Sequence, residues 1–285
     1  KTATMRTVII PTDFSETADN AIRYAVELFK YEKSRFVIMN AFADDVYENT
    51  MEMDREFFEE YKQKSEAAIE RALQKVIAQM LELSPNPKHT YEYVAKFGSL
   101  VDEVNDLANT SNADIIVMGT KGKSNKDDVT FGSQTLQVIK YVSCPVLAVP
   151  VGFHGYPPEN ILFPTNYMLP FNRRELKLIN TIAKRFVTRV HFLHISEAEQ
   201  LSHRQQDNKA LAGCCFEDVK ISYIKTPGKD ITAAVNKTLK DSAIDMLVMV
   251  NHRHSYLENL LYRSAIEKIG LEIEIPFLVL QNLPR

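Results

Sequence analysis

The sequence predicts an α/β protein with two doubly wound, five-stranded parallel sheets, each of Rossmann-like strand order 3-2-1-4-5. Short apolar runs alternate with amphipathic helical segments along all 285 residues. Such alternation is typical of parallel strands joined by right-handed helical crossovers. The same landmarks recur in the second half of the chain, so the sequence reads as two copies of one unit.

The first copy opens with a strand over Arg6–Pro11, and the helix that follows repeats its apolar residues at helical spacing; Ser15 or Thr17 can cap it. A second strand covers Arg35–Ala41. An acidic loop then leads to a long helix from about Asp54 to Leu83. We expect three aromatic residues to form the buried stripe of this helix: Phe57, Phe58 and Tyr61.

The remaining strands of the first copy are shorter. A third strand alternates over Thr90–Ala95, and a helix follows over Leu100–Leu107. The fourth strand is the apolar run Ile115–Met118, and the last is Pro145–Val149. Ligands of doubly wound sheets bind beyond the carboxyl ends of the strands, where the strand order reverses.

The internal repeat sets the predicted domain boundaries. The triplet Pro11-Thr12-Asp13 recurs as Pro164-Thr165-Asn166, each time after an apolar strand. Three further landmarks, Asp114, Ser133 and Pro145, recur 131 positions later as Asp245, Ser264 and Pro276. We therefore predict domains over 1–150 and 159–285, joined by a linker over 151–158 that is rich in glycine and proline.

Composition narrows the function classes. With 45% hydrophobic residues, 25% charged residues and a net charge of -3, the chain lacks the basic excess typical of nucleic-acid or anionic-lipid binding. No apolar run approaches the roughly 20 residues of a membrane span, and no signal-peptide core precedes the first strand. The three cysteines are too few for a disulfide framework. We expect a cytoplasmic protein without nucleic-acid or membrane partners.

The loop after the fourth strand is the main candidate site. It runs from Gly119-Thr120-Lys121-Gly122 to Gly132-Ser133, where an amphipathic helix begins. Backbone N–H groups at a helix N-terminus attract anions, and glycines let the backbone approach a phosphate closely. Asp13 and Ala41 fall at the carboxyl ends of neighbouring strands in the predicted order. The sequence therefore predicts one nucleotide-binding crevice between these segments.

Read as a pattern, Gly119-x2-Gly122-x9-Gly132-Ser133, beside Pro11-Thr12-Asp13, resembles the universal stress protein family in its tandem two-domain form. The resemblance implies binding of ATP, with ADP or AMP as alternatives and Mg as a possible companion. It implies that Asp13 contacts the adenosine part, that the Ala41 backbone meets the adenine, and that the glycines and Ser133 surround the phosphates. The residues assigned to the nucleotide are Pro11, Thr12, Asp13, Ala41, Met118, Gly119, Gly122, Gly132 and Ser133.

The second copy departs from this pattern. Its counterparts of the three glycines are Val250, Arg253 and Arg263, and Asp13 corresponds to Asn166. Side chains there stand where phosphates would lie, so we predict nucleotide binding in the first domain only. The resemblance also implies that the fifth strands of the two copies pair within one chain as a pseudo-dimer, and it leaves a homodimer open.

Two functional hypotheses follow. The first is an ATP-binding stress-response protein that acts as a binding module or switch, with at most slow ATP hydrolysis, because no catalytic set emerges from the sequence. The alternative is a nucleotide-independent scaffold or sensor whose histidine-rich second domain binds a metal or a small ligand. Its candidate ligands are His194, His252 and His254.

Overall fold

A computed structural model describes residues 5–121, 131–155, 157–171, 173–252, 255–258 and 273–281. Within these ranges, helices and strands alternate through both halves of the chain. The strands are β1 (Arg6–Pro11), β2 (Ser34–Ala41), β3 (His89–Lys96), β4 (Ile115–Gly119), β5 (Val146–Val149), β6 (Asn160–Pro164), β7 (Arg189–Ile195), β8 (Lys220–Thr226), β9 (Met246–Asn251) and β10 (Phe277–Gln281). The helices are α1 (Glu16–Leu28), α2 (Ala43–Thr50), α3 (Arg55–Leu83), α4 (Leu100–Thr110), α5 (Ser133–Tyr141), α6 (Arg173–Phe186), α7 (His203–Cys214) and α8 (Ile231–Asp241).

The described strands form one sheet in the order β3-β2-β1-β4-β5-β10-β9-β6-β7-β8. Each set of five therefore has the order 3-2-1-4-5, and the predicted fold class is confirmed. Neighbouring strands within each set are parallel, whereas β5 and β10 pair antiparallel at the centre, with Leu147 opposite Leu278. The domain boundaries at 150 and 159 stay a prediction.

Two apolar layers cover the sheet, and each extends across both halves. In β1 the alternation of side chains sends Val8 and Ile10 to one layer and Ile9 to the other. In β6, Ile161 and Phe163 join the first layer, and Leu162 joins the second. The strands at the centre are buried on both faces, which explains their uninterrupted apolar sequences.

Helix α5 is held by residues of both halves. Its Ile139 carbonyl accepts hydrogen bonds from Gln281 Nε2 at 2.8 Å and from Asn251 Nδ2 at 3.4 Å. At its other end, the buried Phe131 ring lies 5.6 Å from the Phe277 ring. The second half therefore supports the helix at whose N-terminus the candidate phosphate site begins.

Two local predictions are wrong. The acidic loop after β2 is helix α2, in which Asp44 and Asp45 occupy the first turn, where carboxylates interact favourably with the helix dipole. The aromatic residues at the start of α3 are not its buried stripe, since Phe57 is 41% exposed and the buried residues lie in the second half of the helix. The first turns of α3 extend beyond the edge of the core.

Among the residues that the structure describes, no helix combines the length and the apolar character needed to cross a membrane.

Candidate functional site

A cleft of about 300 Å³ opens at the carboxyl edge of the first five strands, where β1 and β4 lie side by side. This is the point at which the strand order reverses. Gly122 lies outside the described residues. The other eight residues assigned from the sequence all line the cleft: Pro11, Thr12, Asp13, Ala41, Met118, Gly119, Gly132 and Ser133.

A tight turn after β1 positions Asp13. The Phe14 N–H donates to Thr12 Oγ1 at 3.0 Å, and the Ser15 N–H donates to Asp13 Oδ1 at 3.1 Å. Phe14 has a φ of 61°, a left-handed conformation that these two hydrogen bonds stabilise. Ser15 then caps α1 by accepting from the Ala18 N–H at 3.2 Å. The Asp13 side chain is therefore fixed at the mouth of the cleft.

Asp13 brings a carboxylate to this end of the cleft, and the first turn of α1 carries further carboxylates near it. Burial raises the pKa of the nearby Asp19 carboxyl, and the negative charges of Asp13 and Glu16 raise it further, against the effect of Arg23. A concentration of carboxylates favours hydroxyl and amino groups of a ligand and disfavours its phosphates.

Asn40 is a cleft residue that the sequence analysis missed. Its Nδ2 donates to the Thr12 carbonyl at 2.7 Å, while its Oδ1 is buried without a hydrogen-bond partner among the described residues. A buried acceptor without a partner is rare, and it offers a place for an N–H or O–H of a ligand. The available signal was a lone polar residue after the apolar run of β2.

The backbone of Ala41 faces the same space. The next residue, Phe42, donates its N–H to the Lys96 carbonyl on the β3 side at 3.0 Å. Backbone groups of successive strand residues point to opposite neighbours, so the N–H and C=O of Ala41 point away from β3 and toward the cleft that Ala41 lines.

The opposite end of the cleft is the N-terminus of α5. Gly132 is the N-cap residue and provides no side-chain hydrogen bond to the first turn. Its N–H donates to the Thr120 carbonyl at 2.8 Å, and Thr135 Oγ1 donates to the Gly119 carbonyl at 3.0 Å. Within the described residues, which do not include 122–130, no side chain caps the first-turn amides beside Ser133, and this end of the cleft favours an anion.

Gly119 has a packing role in addition to the predicted one. A Cβ atom at this position would lie 2.6 Å from Thr17 Cγ2 and 3.3 Å from the Thr17 backbone carbon. Real Cβ atoms do not approach other atoms at 2.6 Å. The close approach of Thr17 on α1 to the end of β4 therefore favours a glycine here, whether or not a ligand is bound.

The corresponding cleft of the second half is nearly closed, with a volume of about 10 Å³. It keeps the triplet after the strand, Pro164, Thr165 and Asn166, and its wall contains Val250, the counterpart of Gly119. The turn is also kept, because the Tyr167 N–H donates to Thr165 Oγ1 and the Met168 N–H donates to Asn166 Oδ1, both at 3.1 Å. The two halves thus share the frame of the site and differ in what fills it.

Tyr256 fills the space that, in the first half, lies in front of the Ala41 backbone. Its hydroxyl donates to the Ile195 carbonyl at 2.7 Å and accepts from the Ile195 N–H at 3.1 Å. Ile195 corresponds to Ala41, since Ser196 donates to the Thr226 carbonyl just as Phe42 donates to Lys96. The buried phenol of Tyr256 therefore forms hydrogen bonds with backbone groups whose counterparts in the first half face open space.

Two of the candidate histidines, His194 and His252, are buried in the second half. His194 Nδ1 donates to the Thr165 carbonyl at 3.0 Å, which matches the hydrogen bond from Asn40 to Thr12. His252 is buried against the closed cleft. His254 lies outside the described residues, as do Arg253 and Arg263. Over the described part of the chain, no group of three or more His, Cys, Asp or Glu side chains is placed to hold a metal ion.

We expect the His194→Asn variant to keep the fold and to lose less stability than the wild type when the pH falls into the mildly acidic range. Burial lowers the pKa of His194, and the charges of Lys225 and Lys209 lower it further, against the effect of the Thr165 hydrogen bond. The unfolded chain therefore binds more protons below pH of about 6.5, and the folded state loses stability as the pH falls. Asparagine can keep the hydrogen bond, as Asn40 does.

The measurement is the free energy of unfolding by urea between pH 7.5 and 5.5. The wild type should lose stability across this range, and the variant should lose less. Burial also lowers the pKa of His191, so this residue makes its own contribution to the pH dependence of stability. The variant His191→Asn measures that contribution and serves as the matched comparison. An identical pH dependence in wild type and His194→Asn would contradict the expectation.

Comparisons with known proteins agree with this architecture. The model of the universal stress protein family matches residues 4–150, just over half of the chain. Universal stress protein MJ0577 of Methanocaldococcus jannaschii is 28% identical over 155 residues, which span 50% of this chain and 93% of the relative. Universal stress protein G of Escherichia coli O157:H7 is 30% identical over 156 residues, which span 50% of this chain and 98% of the relative.

A solved structure extends the likeness in fold to both halves. The crystal structure of a universal stress protein from Archaeoglobus fulgidus has a TM-score of 0.66 to this chain, covers 96% of both chains and is 16% identical. At that identity the likeness shows the fold alone. Because the family model covers more than half of the sequence, the chain belongs to the universal stress protein family.

Proposed function

We propose that the first half of this protein binds an adenine nucleotide, ATP or its products ADP or AMP, and that the chain acts as a nucleotide-dependent binding module or switch in a stress response. The observation that carries the proposal is the contrast between two clefts of common frame, one of about 300 Å³ and the other of about 10 Å³. The open one contains the residues that the family resemblance assigns to the nucleotide.

The charges of the cleft give the proposed nucleotide a direction. Its adenosine part lies at the acidic end, where Asp13 accepts hydrogen bonds from a hydroxyl or an amino group. The N–H and C=O of Ala41 pair with the edge of the base, and Asn40 Oδ1 offers a further acceptor. The phosphates lie over the N-terminus of α5 at Gly132 and Ser133, with Lys121 on the same wall. Mg accompanies the phosphates in this proposal.

The second half serves as a partner for the first and does not hold the nucleotide in the same manner. Three differences support this part of the proposal: the phenol of Tyr256 on the Ile195 backbone, the side chain of Val250 in place of a glycine, and the neutral Asn166 in place of a carboxylate. Domains over 1–150 and 159–285 then form a pseudo-dimer through β5 and β10. All three cysteines lie in the described part of the chain and none of them forms a disulfide there, which supports a reducing, cytoplasmic location.

Separate calorimetric titrations of the full chain with ATP and with adenosine test the proposal. We expect one ATP per chain. We also expect Asp13→Asn to bind adenosine about tenfold more weakly, because a charged acceptor is replaced by a neutral one. The variant should stay folded, since Asn166 supports the same turn in the second half.

The control is Asn166→Asp, which makes the reverse change at the corresponding turn and should leave the adenosine affinity unchanged. Two ATP molecules per chain, or equal adenosine affinity in wild type and Asp13→Asn, would contradict the proposed site. Absence of ATP binding would favour the alternative of a nucleotide-independent scaffold.

A further inference from the structure

A second cavity, of about 570 Å³, lies at the opposite edge of the sheet, between the two halves. Its floor is formed by the amino ends of β1 and β5 and by the loops that precede β2 and β4. Helix α6 of the second half forms the wall, through Arg174, Lys177, Leu178, Thr181 and Arg185. We call this cavity the junction cleft.

The junction cleft is positively charged, although the whole chain has a net charge of -3. Two carboxylates line it, Glu32 and Asp114. Five cationic side chains line it as well: Arg6, Lys33, Arg174, Lys177 and Arg185. The difference, five minus two, leaves three positive charges around one cavity, which raises the local concentration of anions.

Both carboxylates are already occupied by arginines. Arg6 pairs with Glu32 at 2.7 Å, with both side chains largely buried. Arg174 lies 3.7 Å from Asp114 and donates to the Ala113 carbonyl at 3.0 Å, which joins α6 to the first half. Asp114 also accepts from the Thr7 N–H at 2.9 Å. These pairs neutralise the acidic groups and shape the walls.

The excess charge resides on Lys33, Lys177 and Arg185. No side chain among the described residues forms a hydrogen bond or an ion pair with the charged group of any of these three residues; the Thr181 hydroxyl donates only to the Lys177 carbonyl. Lys177 and Arg185 are eight residues apart on α6 with Thr181 between them, so the three share one face of the helix. Lys33 approaches from the first half. Like charges gathered in one cavity repel each other, and a bound anion would offset that repulsion.

We propose that the junction cleft binds a small, multiply charged anion of the phosphate class. A diphosphate or a phosphorylated metabolite matches the chemistry, because three separate cationic groups converge on one cavity of limited volume. The anion bridges α6 of the second half and the loop before β2 of the first. The site is distinct from the candidate nucleotide cleft, which lies at the other edge of the sheet.

Calorimetric titration of the full chain with inorganic pyrophosphate tests this site. The wild type should bind pyrophosphate, and the double variant Lys177→Glu/Arg185→Glu should bind it at least about tenfold more weakly, because two attractive charges become repulsive. The matched control is Lys184→Glu, on the same helix but outside the cleft, where the lysine faces Asp218. It should change the affinity less than about twofold.

A second variant on another element guards against a local folding defect. Lys33→Gln, in the loop before β2, should weaken pyrophosphate binding about threefold or more while α6 is untouched. ATP affinity should be the same in all of these variants, which separates the junction cleft from the nucleotide proposal. Absence of pyrophosphate binding up to about 10 mM, or equal affinity in the double variant and in Lys184→Glu, would overturn the inference.

Discussion

Gly132→Leu is expected to weaken ATP binding by at least about 100-fold, which corresponds to roughly 2.7 kcal/mol. Gly132 is the N-cap of α5 and lines the cleft at its anion-binding end. Its φ of -68° and ψ of 157° are accessible to leucine, so the substitution is compatible with the backbone. The added side chain enters the space that the phosphates need, and it covers the first-turn amides of the helix.

Adenosine provides the internal comparison for this variant. Adenosine lacks phosphates, so Gly132→Leu should weaken its binding far less than that of ATP. The matched control is Gly152→Leu, because a side chain at Gly152 meets no atom within 4 Å. Gly152→Leu should bind ATP as the wild type does. Equal ATP affinity in both variants would contradict the placement of the phosphates at α5.

The second large effect concerns stability. Gly119→Ala should lower the free energy of unfolding by about 1–3 kcal/mol, the range typical of overpacked buried positions. The reason is the 2.6 Å distance between the new Cβ and Thr17 Cγ2. Relief requires the Thr17 side chain to leave its rotamer or α1 to move away from β4, and this helix makes extensive contacts with that strand. The measurement is urea unfolding followed by circular dichroism.

A double-mutant cycle identifies the cause. Thr17→Ser removes the Cγ2 atom, so Gly119→Ala/Thr17→Ser should recover most of the lost stability. The two remaining contacts, with the backbone carbon and the Cβ of residue 17 at 3.3 Å, are tight but tolerable. The control is Gly152→Ala in the open linker. Additive effects of the two substitutions, or a loss below about 0.5 kcal/mol for Gly119→Ala, would contradict the packing explanation.

Gly119 and Gly132 belong to the same sequence pattern but have different structural roles. The pattern treats Gly119 and Gly132 alike, as places where a backbone approaches a phosphate. In the folded protein Gly119 is favoured by a helix that packs against it, whereas Gly132 leaves a helix N-terminus open to the cleft. A loss of ATP binding in Gly119→Ala could result from lower stability, so it has to be interpreted together with a measurement of unfolding. The same loss in Gly132→Leu would report directly on the binding site.

The second half shows how a binding frame can be kept while its space is filled. Thr165 and Asn166 repeat the turn of Thr12 and Asp13, and His194 repeats the hydrogen bond of Asn40. Tyr256 then satisfies both backbone groups of Ile195. A cleft closed in this way satisfies these backbone groups without any ligand.

Much of the fold follows from local sequence, because period and polarity report burial directly. Continuous apolar runs such as Ile115–Met118 predict strands covered on both faces, and the alternation with helices restricts the sheet to a parallel, doubly wound order. The internal repeat predicts two such units. Helix α2 was missed because its acidic sequence resembles a loop, and its carboxylates become favourable only at a helix N-terminus.

The sequence by itself determined the strand order, the repeat, the family and the segments that meet at the cleft, since each depends on pattern and spacing. The sequence also predicted that only the first half keeps space for a nucleotide, and the tertiary structure showed which distant side chain fills the other cleft. Tyr256 lies 61 positions from Ile195, and Lys33 lies more than 140 positions from Lys177, so no local pattern predicts that Tyr256 bonds to Ile195 or that the two lysines line one cavity. Whether a cavity is filled or charged depends on side chains from distant elements, and these converge only when the whole sheet has formed.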